Sequence, residues 1–397
     1  MSIGGKIETK LAEFAACATT DGELWRPSFS KEDETSCALL EKWLAEENME
    51  VYRDCVGNLF GRIKGRESRV ILSGSHRDSV KNGGRYDGAA GIITAMLAAG
   101  ELYRELGKPQ KTVEIVALPE EEGSRFASSY IGSKSITGQL GENELNDADQ
   151  QGIRLEELLC GVDVRQAVRD DIDLFIELHV EQGPYLEKTG VTIGVVEKIV
   201  GMIVARVTVT GQQNHAGTTP MNLRLDPMRG AAEMMCSLYA AVSGGSTLTF
   251  GEISAVPGLS NVIPEKVCFS VDCRDADEEN LSALKNLLQE TVQPFHEKGY
   301  QTEIEFLCVE PPKEMAKSAV DLIAECAGQL EIPYTRMNSG AGHDAQIMAS
   351  KFPSGMIFIP SHAGISHSPK EYTKQEDLAA GYAVFKQALK QAAWSAT

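Results

Sequence analysis

Three short apolar runs in this chain each end on residues able to bind a divalent metal, and that pattern leaves few folds open. Val70-Ile71-Leu72 leads into Ser75-His76-Arg77-Asp78, the run 113–118 leads into Glu120-Glu121-Glu122-Gly123, and the run 174–178 leads into His179. A fourth run, 356–359, precedes His362 and His367. Apolar segments this short, with turn residues after them, read as buried strands of an α/β sheet. Ligands of such sheets gather outside the carboxyl ends of the strands. A metal-centred site at one sheet edge is therefore the first expectation.

The segments between these runs support an α/β alternation. A helix is predicted over 31–48, where Leu39, Leu40, Trp43 and Leu44 fall at helical spacing. Strands are expected at 50–52, 58–63, 70–73, 112–118 and 174–178, with a buried, alanine-rich helix over 88–106 opening directly after Asp87. Near residue 203 the character changes, because 204–210 alternates apolar and polar residues with the period of a half-wet strand. Asp226-Pro227 is a good N-cap and first-turn pair for a helix to about residue 242. Strands at 247–256 and 266–272, a helix over 277–296 and a strand at 302–309 follow. That βαββαβ order is the ferredoxin-like split unit. Helical and strand patterns resume over 316–330 and 356–359. A chain of 397 residues exceeds one ordinary core. The expected fold class is α/β: a catalytic α/β/α sandwich with a mixed sheet over 1–203 and 311–397, interrupted by an inserted ferredoxin-like domain over 204–310.

Composition narrows the function classes. A formal charge of −19 argues against nucleic acid, whose phosphates need basic surface. No stretch approaches the roughly 18 consecutive apolar residues of a membrane span. The first residues, Met1-Ser2-Ile3-Gly4-Gly5-Lys6, are too polar for a signal peptide, so the cytoplasm is expected. The nine cysteines are scattered without a CxxC pair, as in an enzyme with reduced thiols.

A lone histidine is more often structural than a ligand, but six of the seven here lie in turn-like segments after apolar runs, His296 being the exception. His76 and Asp78, one residue apart, suit an imidazole ligand whose other ring nitrogen is held by a carboxylate. Asp87, in Asn82-Gly83-Gly84-Arg85-Tyr86-Asp87-Gly88, reads on its own first as a helix cap, but flanking glycines also let a carboxylate there bridge two cations. Glu120-Glu121-Glu122 cannot all be buried unpaired. At a strand end one of them can bind metal while a neighbour moves a proton. His179 and His367 add neutral nitrogen ligands. This mixed nitrogen and oxygen set suits two divalent ions, Zn²⁺ or Mn²⁺, with Co²⁺ and Ni²⁺ as alternatives. Serving both the carboxylate and the helix start also predicts a strained peptide at Asp87-Gly88, cis in its extreme form.

These segments resemble a known family. Gly74-Ser75-His76-x-Asp78-Ser79-Val80, Asn82-Gly83-Gly84-x-x-Asp87-Gly88, Glu121-Glu122-Gly123-Ser124-Arg125-Phe126 and Glu177-Leu178-His179-x-Glu181-Gln182-Gly183-Pro184 are similar to the amidase branch of the dinuclear aminoacylase/carboxypeptidase superfamily. So are Asn214-His215-Ala216-Gly217-Thr218-Thr219-Pro220-Met221, Ser339-Gly340-Ala341-Gly342-His343-Asp344 and Gly364-Ile365-Ser366-His367-Ser368-Pro369. That branch holds N-carbamoyl-L-amino-acid hydrolases, allantoate amidohydrolases and β-ureidopropionases. The resemblance implies His76, Asp87, Glu122, His179 and His367 as ligands of two metal ions, with Asp87 bridging. It implies Glu121 as general base and Asp78 as the acid orienting His76. It further implies an inserted domain that serves as lid and homodimer interface. From that domain come His215, acting at the partner subunit's site to polarise the substrate carbonyl, Asn261, and Arg274 to pair with a substrate carboxylate. Gln182 and Gly342 are further substrate contacts.

The substrate implied is a small ureido or carbamoyl compound carrying a carboxylate. Met202-Ile203-Val204 after Val200-Gly201 is apolar where allantoate enzymes tend to carry basic residues, which favours an N-carbamoyl-L-amino acid; Asn214-His215, Gly342-His343-Asp344-Ala345-Gln346 and Asp272-Cys273-Arg274 look more like allantoate enzymes. A dinuclear aminopeptidase or dipeptidase on the same scaffold, and a non-catalytic binding protein, are the remaining readings. Glu120, His343, His362 and the unusual Arg77 receive no role.

Overall fold

A computed structural model describes residues 1–242 and 244–395. The chain divides into two compact units, Met1–Glu197 with Glu314–Thr397, and Lys198–Lys313.

The first unit is built on a mixed sheet. Its strands run in the order Lys313–Glu314, Ile193–Ile199, Ser354–Ile359, Ile172–Val180, Glu67–His76, Lys111–Leu118, Leu59–Ile63 and Glu50–Arg53, with Tyr334–Ser339 pairing beside Ile193–Ile199. The four central strands are parallel, and Ile193–Ile199, Leu59–Ile63 and Glu50–Arg53 outside them pair antiparallel. Burial on both faces explains their unbroken apolar runs: every residue of Ser354–Ile359 is buried, as are the last seven of Glu67–His76. The helix Ala89–Leu106 packs on the central strands, and Ile3–Ala16 and Gln375–Trp394 pack on it in turn. Close approach is possible because Gly91 faces the carbonyl of Leu178, which an added Cβ would meet at 2.3 Å.

The second unit has the strand order Thr247–Thr249, Lys266–Asp275, Gly201–Thr210, Gln301–Glu310, with Ile253–Val256 also paired to Lys266–Asp275. In chain order this places the fourth strand beside the first and the first beside the third, all antiparallel. Alternation along Gly201–Thr210 and Lys266–Asp275 sends one face into a core shared with the helices Pro227–Ala241 and Glu278–Glu297.

Three details depart from the sequence expectations. The strand expected over 247–256 is two strands, interrupted at Gly251, where the Glu252 amide bonds the Ser270 hydroxyl instead of a ladder partner. The helices Ile3–Ala16 and Gln375–Trp394 and the strand Ile193–Ile199 were not expected. That strand runs almost directly into Gly201–Thr210, which hides the boundary in the apolar pattern. The expected cis bond at Asp87-Gly88 is corrected: among the described residues only Val256-Pro257 is cis. The reversal is made by Gly88, at φ 62° and ψ −52°, so a residue without a side chain supplies the turn and the peptide stays trans.

Candidate metal centre

The four parallel strands deliver their carboxyl ends to one edge of the first unit, and the chemistry-bearing residues collect there. His76 is the last residue of its strand and His179 the last but one of the next. Glu120, Glu121 and Glu122 follow Lys111–Leu118, and His367 lies on the segment after Ser354–Ile359. Asp87 enters from the turn before the Ala89–Leu106 helix.

Asp87 stands at the centre. Its Oδ1 lies 3.3 Å from His76 Nε2 and 3.0 Å from His179 Nε2. Its Oδ2 lies 3.2 Å from His367 Nε2, which is 3.3 Å from Glu122 Oε1. Two ligand sets therefore share one carboxylate, His76–His179–Asp87 on one side and Asp87–Glu122–His367 on the other, each with its donor atoms within 4.8 Å of one another.

The donor chemistry fits cations. His76 Nδ1 faces the Asp78 carbonyl at 3.2 Å and His179 Nδ1 faces the Val180 carbonyl at 2.8 Å. A carbonyl only accepts, so each Nδ1 carries a proton and Nε2 is the ring atom left to meet a cation beside Asp87. Asp87 Oδ1 and Glu122 Oε1 are buried without a hydrogen-bond partner. Carboxylate oxygens buried without a partner call for positive charge beside them.

The electrostatics agree. Burial, then the charges of Glu122, Asp344 and Asp78, hold Glu121 well above the usual carboxylate range despite His76 nearby. Glu122 is raised by burial and by Asp87. Asp344 is pushed up to about 8 by burial and then Glu177. The facing carboxylates of Asp87 and Glu122 lift His367 to about 10. Carboxylates that resist ionising beside imidazoles that hold protons mark a site short of positive charge.

Asp78 reaches further than one imidazole. Its carboxylate accepts the main-chain N–H groups of Glu121 at 3.0 Å and Glu122 at 3.2 Å, while its Oδ1 lies 3.7 Å from His76 Nδ1. It thus orients the glutamate pair more directly than the ring. Gln182 donates to Asp87 Oδ2 at 2.9 Å and stands 3.3 Å from His367 Nε2. Gly342 lies in the loop before the helix Asp344–Met348, where an added Cβ would meet the Tyr130 hydroxyl at 2.1 Å.

His215, Asn261 and Arg274 belong to the second unit. His215 and Asn261 are neighbours there, since the Ala216 amide bonds the Asn261 carbonyl at 3.0 Å. The exposed His215 ring has a defined tautomer. Its Nδ1 accepts from Gly217 N–H at 3.0 Å and Thr218 N–H at 3.2 Å, which leaves Nε2 to carry the proton. Arg274 sits across from Met202 in the strand register and forks onto Asp272 at 2.9 and 3.0 Å.

Residues without a sequence role now have one. Glu120 is buried and accepts from Ser124 Oγ and the amides of Arg125 and Phe126, tying the loop after the glutamates. Arg77 is a buried tie between strands and helix, bonding Asp33 at 2.7 and 3.1 Å and the carbonyls of Gly57 and Ala117. His343 bonds Ser339 Oγ at 3.0 Å and packs 4.5 Å from the His179 ring; burial and the His179 charge hold it neutral. His362 pairs with Glu187 at the surface. Two carboxylates that sequence reading passed over are buried here. Glu177 accepts from Ser75 Oγ and the Ala345 amide, and Glu371 accepts from Tyr86 and Asp87. Position two before His179 could have flagged Glu177, whereas nothing local marks Glu371.

A mixed α/β sheet carrying two nitrogen and oxygen ligand sets around one shared carboxylate defines a metal-dependent hydrolase of the dinuclear kind. The chain belongs to Peptidase family M20/M25/M40, which matches residues 72–391, and falls in its amidase branch as a hydrolase of C–N bonds. It is 41% identical to an allantoate amidohydrolase of Escherichia coli (strain K12), covering 89% of each chain. It is 34% identical to an N-carbamoyl-L-amino-acid amidohydrolase of Pseudomonas sp. (strain NS671), covering 94% of each. The crystal structure of an amidase of the hydantoinase/carbamoylase family from Burkholderia multivorans superposes with a TM-score of 0.89 at 31% identity, covering 98% of this chain and 97% of that one. No described helix is long and apolar enough to cross a membrane.

Proposed function

We propose that this chain hydrolyses the ureido C–N bond of an N-carbamoyl-L-amino acid. The observation that carries the hydrolytic reading is Asp87, shared between two ligand sets with Glu121 buried beside them. His76, His179 and Asp87 would hold one divalent ion, and Asp87, Glu122 and His367 the other. Two such ions lower the pKa of water and polarise a carbonyl oxygen. Glu121 takes the proton of the attacking water and returns it to the leaving nitrogen, so that ammonia departs as the carbonyl carbon gains the oxygen. Its raised proton affinity suits a group that must both accept and donate. His215, as the Nε2–H tautomer, would serve the partner subunit's site in a homodimer, donating a hydrogen bond to the carbonyl oxygen as negative charge develops on it.

Arg274 is assigned to the substrate carboxylate, with Asn261 and Gln182 as polar contacts. Met202, its cross-strand partner, gives that anchor an apolar neighbour, which supports a substrate with an apolar side chain. Allantoate is the second reading, favoured by the 41% identity to the Escherichia coli amidohydrolase. The nine unpaired cysteines support a reducing, cytoplasmic setting, and the inserted domain is proposed as the interface of a homodimer.

The test is a rate comparison among N-carbamoyl-L-amino acids, allantoate, 3-ureidopropionate and dipeptides, each with Mn²⁺, Co²⁺, Ni²⁺ and Zn²⁺. Ammonia release from N-carbamoyl substrates should give the highest kcat/KM. Preference for allantoate selects the second reading, and cleavage of dipeptides alone discards both.

A further inference from the structure

We infer that Glu371 is a positioning residue that locks the shared carboxylate to the His367 segment and so sets the second cation position. This rests on the two-ion reading above. Glu371 is buried, with the rest of its carboxylate's partners drawn from two ligand-bearing segments. One oxygen accepts the main-chain N–H of Tyr86 at 2.8 Å and of Asp87 itself at 3.2 Å. The other accepts the Ser366 hydroxyl at 2.9 Å, and that same hydroxyl lies 3.3 Å from Asp87 Oδ2. Ser366 immediately precedes His367. One carboxylate therefore holds the backbone of the bridging residue and the segment bearing a terminal ligand in a single register.

The arrangement mirrors Asp78, which clamps the consecutive amides of Glu121 and Glu122. The two cation positions nevertheless differ in support. His76 and His179 are carried by strands, whereas His367 is exposed, on a segment at φ 51° outside any regular element. The second position therefore depends more on such a tie. Gly84 makes the tie possible: a Cβ there would meet Glu371 Oε2 at 2.0 Å and its carboxyl carbon at 2.3 Å. The second glycine of Asn82-Gly83-Gly84 thus serves as room for a carboxylate distant in sequence. Its φ is not in the left-handed region, so an alanine there acts on Glu371 without straining its own backbone.

Titrating metal-stripped protein with Mn²⁺, by calorimetry and by metal analysis after equilibrium dialysis, tests this without substrate. Wild type should bind two ions per chain; a wild type binding one would remove the two-ion reading and this inference with it, whereas the variants test the inference with that reading intact. E371A should lose the weaker ion, its Kd rising about 10- to 100-fold, the usual effect of a residue supporting a metal ligand. The tighter ion should weaken less, within about threefold of wild type by the same reasoning, since His76 and His179 are fixed by strands and Asp87 alone is shared with the second position. G84A, which displaces Glu371 and leaves every ligand intact, should give the same selective loss. E371Q keeps an acceptor oxygen for the two amides, and Ser366 can rotate to accept, so the second ion should return. Unchanged affinities in both E371A and G84A overturn the inference, as does parallel weakening of both ions. If E371A does not fold, G84A and E371Q decide by the same criteria.

Discussion

Asp87 shows how one residue type acquires its meaning from its surroundings. A helix-capping aspartate and a bridging carboxylate look alike in sequence. The two orphaned donor sets around this one distinguish them. Beside it, Glu121→Gln should lower kcat by about 10² to 10⁴ while both ions stay bound, since that is the range for one acid–base group. Turnover within a few-fold of wild type in steady-state assays would rule Glu121 out. Asp33 offers a prediction on stability. Burial alone would raise its carboxyl, but the charge and hydrogen bonds of Arg77 hold it below its ordinary value. A lowered folded value means stability that is present above the unfolded pKa of about 3.9 and lost as pH falls through the folded value. Asp33→Asn should therefore destabilise at pH 7 and flatten the acid limb of stability against pH in urea melts. Removing the partner of the fully buried Arg77 should cost about 3 to 5 kcal/mol, the usual penalty for a stranded buried charge.

Elements place these residues to within a bond length or two. Burial on both faces makes the central strands legible as apolar runs, and the strand ends then fall where ligands are needed. Their true lengths were harder to read. Glu67–His76 begins with exposed polar residues, and Ile172–Val180 carries Glu177 in its interior, so the pattern showed only the apolar middle of each. The helix Ala89–Leu106 matters as much as the strands, because its first turn sets Asp87. Gly91→Ala would press a methyl against the Leu178 carbonyl, so a loss of about 1 to 3 kcal/mol is expected for overpacking. Calorimetric melting checks this, with a fall in Mn²⁺ affinity expected alongside as Asp87 shifts. A variant as stable as wild type would mean that the helix can slide freely on the sheet.

At the scale of the molecule, the excess of buried carboxylates ties folding to metal. Cations that bind the native chain stabilise it by RT ln(1 + [L]/Kd), about 2.7 kcal/mol at a hundredfold excess over Kd. Stripping with EDTA should lower the melting temperature, and added Mn²⁺ should restore it in proportion to the logarithm of its concentration. Melting that ignores both treatments would show that the cluster needs no cation. The inserted unit is legible for a different reason: its sheet keeps one face wet, so period-two alternation and N-capped helices mark it along 204–310, within the 198–313 unit of the structure.

Local pattern alone therefore determined the fold class, the inserted βαββαβ module and a set of candidate metal ligands at strand ends, because burial and backbone period act over a few neighbours. It also carried a family resemblance strong enough to imply the ligand set. Only the tertiary structure decided what each carboxylate does. Glu120, Asp33, Glu177 and Glu371 are all buried acids, and their roles depend on amides and hydroxyls brought from distant parts of the chain. A hydrogen-bond partner 285 positions away, as between Glu371 and Tyr86, leaves no local trace in sequence.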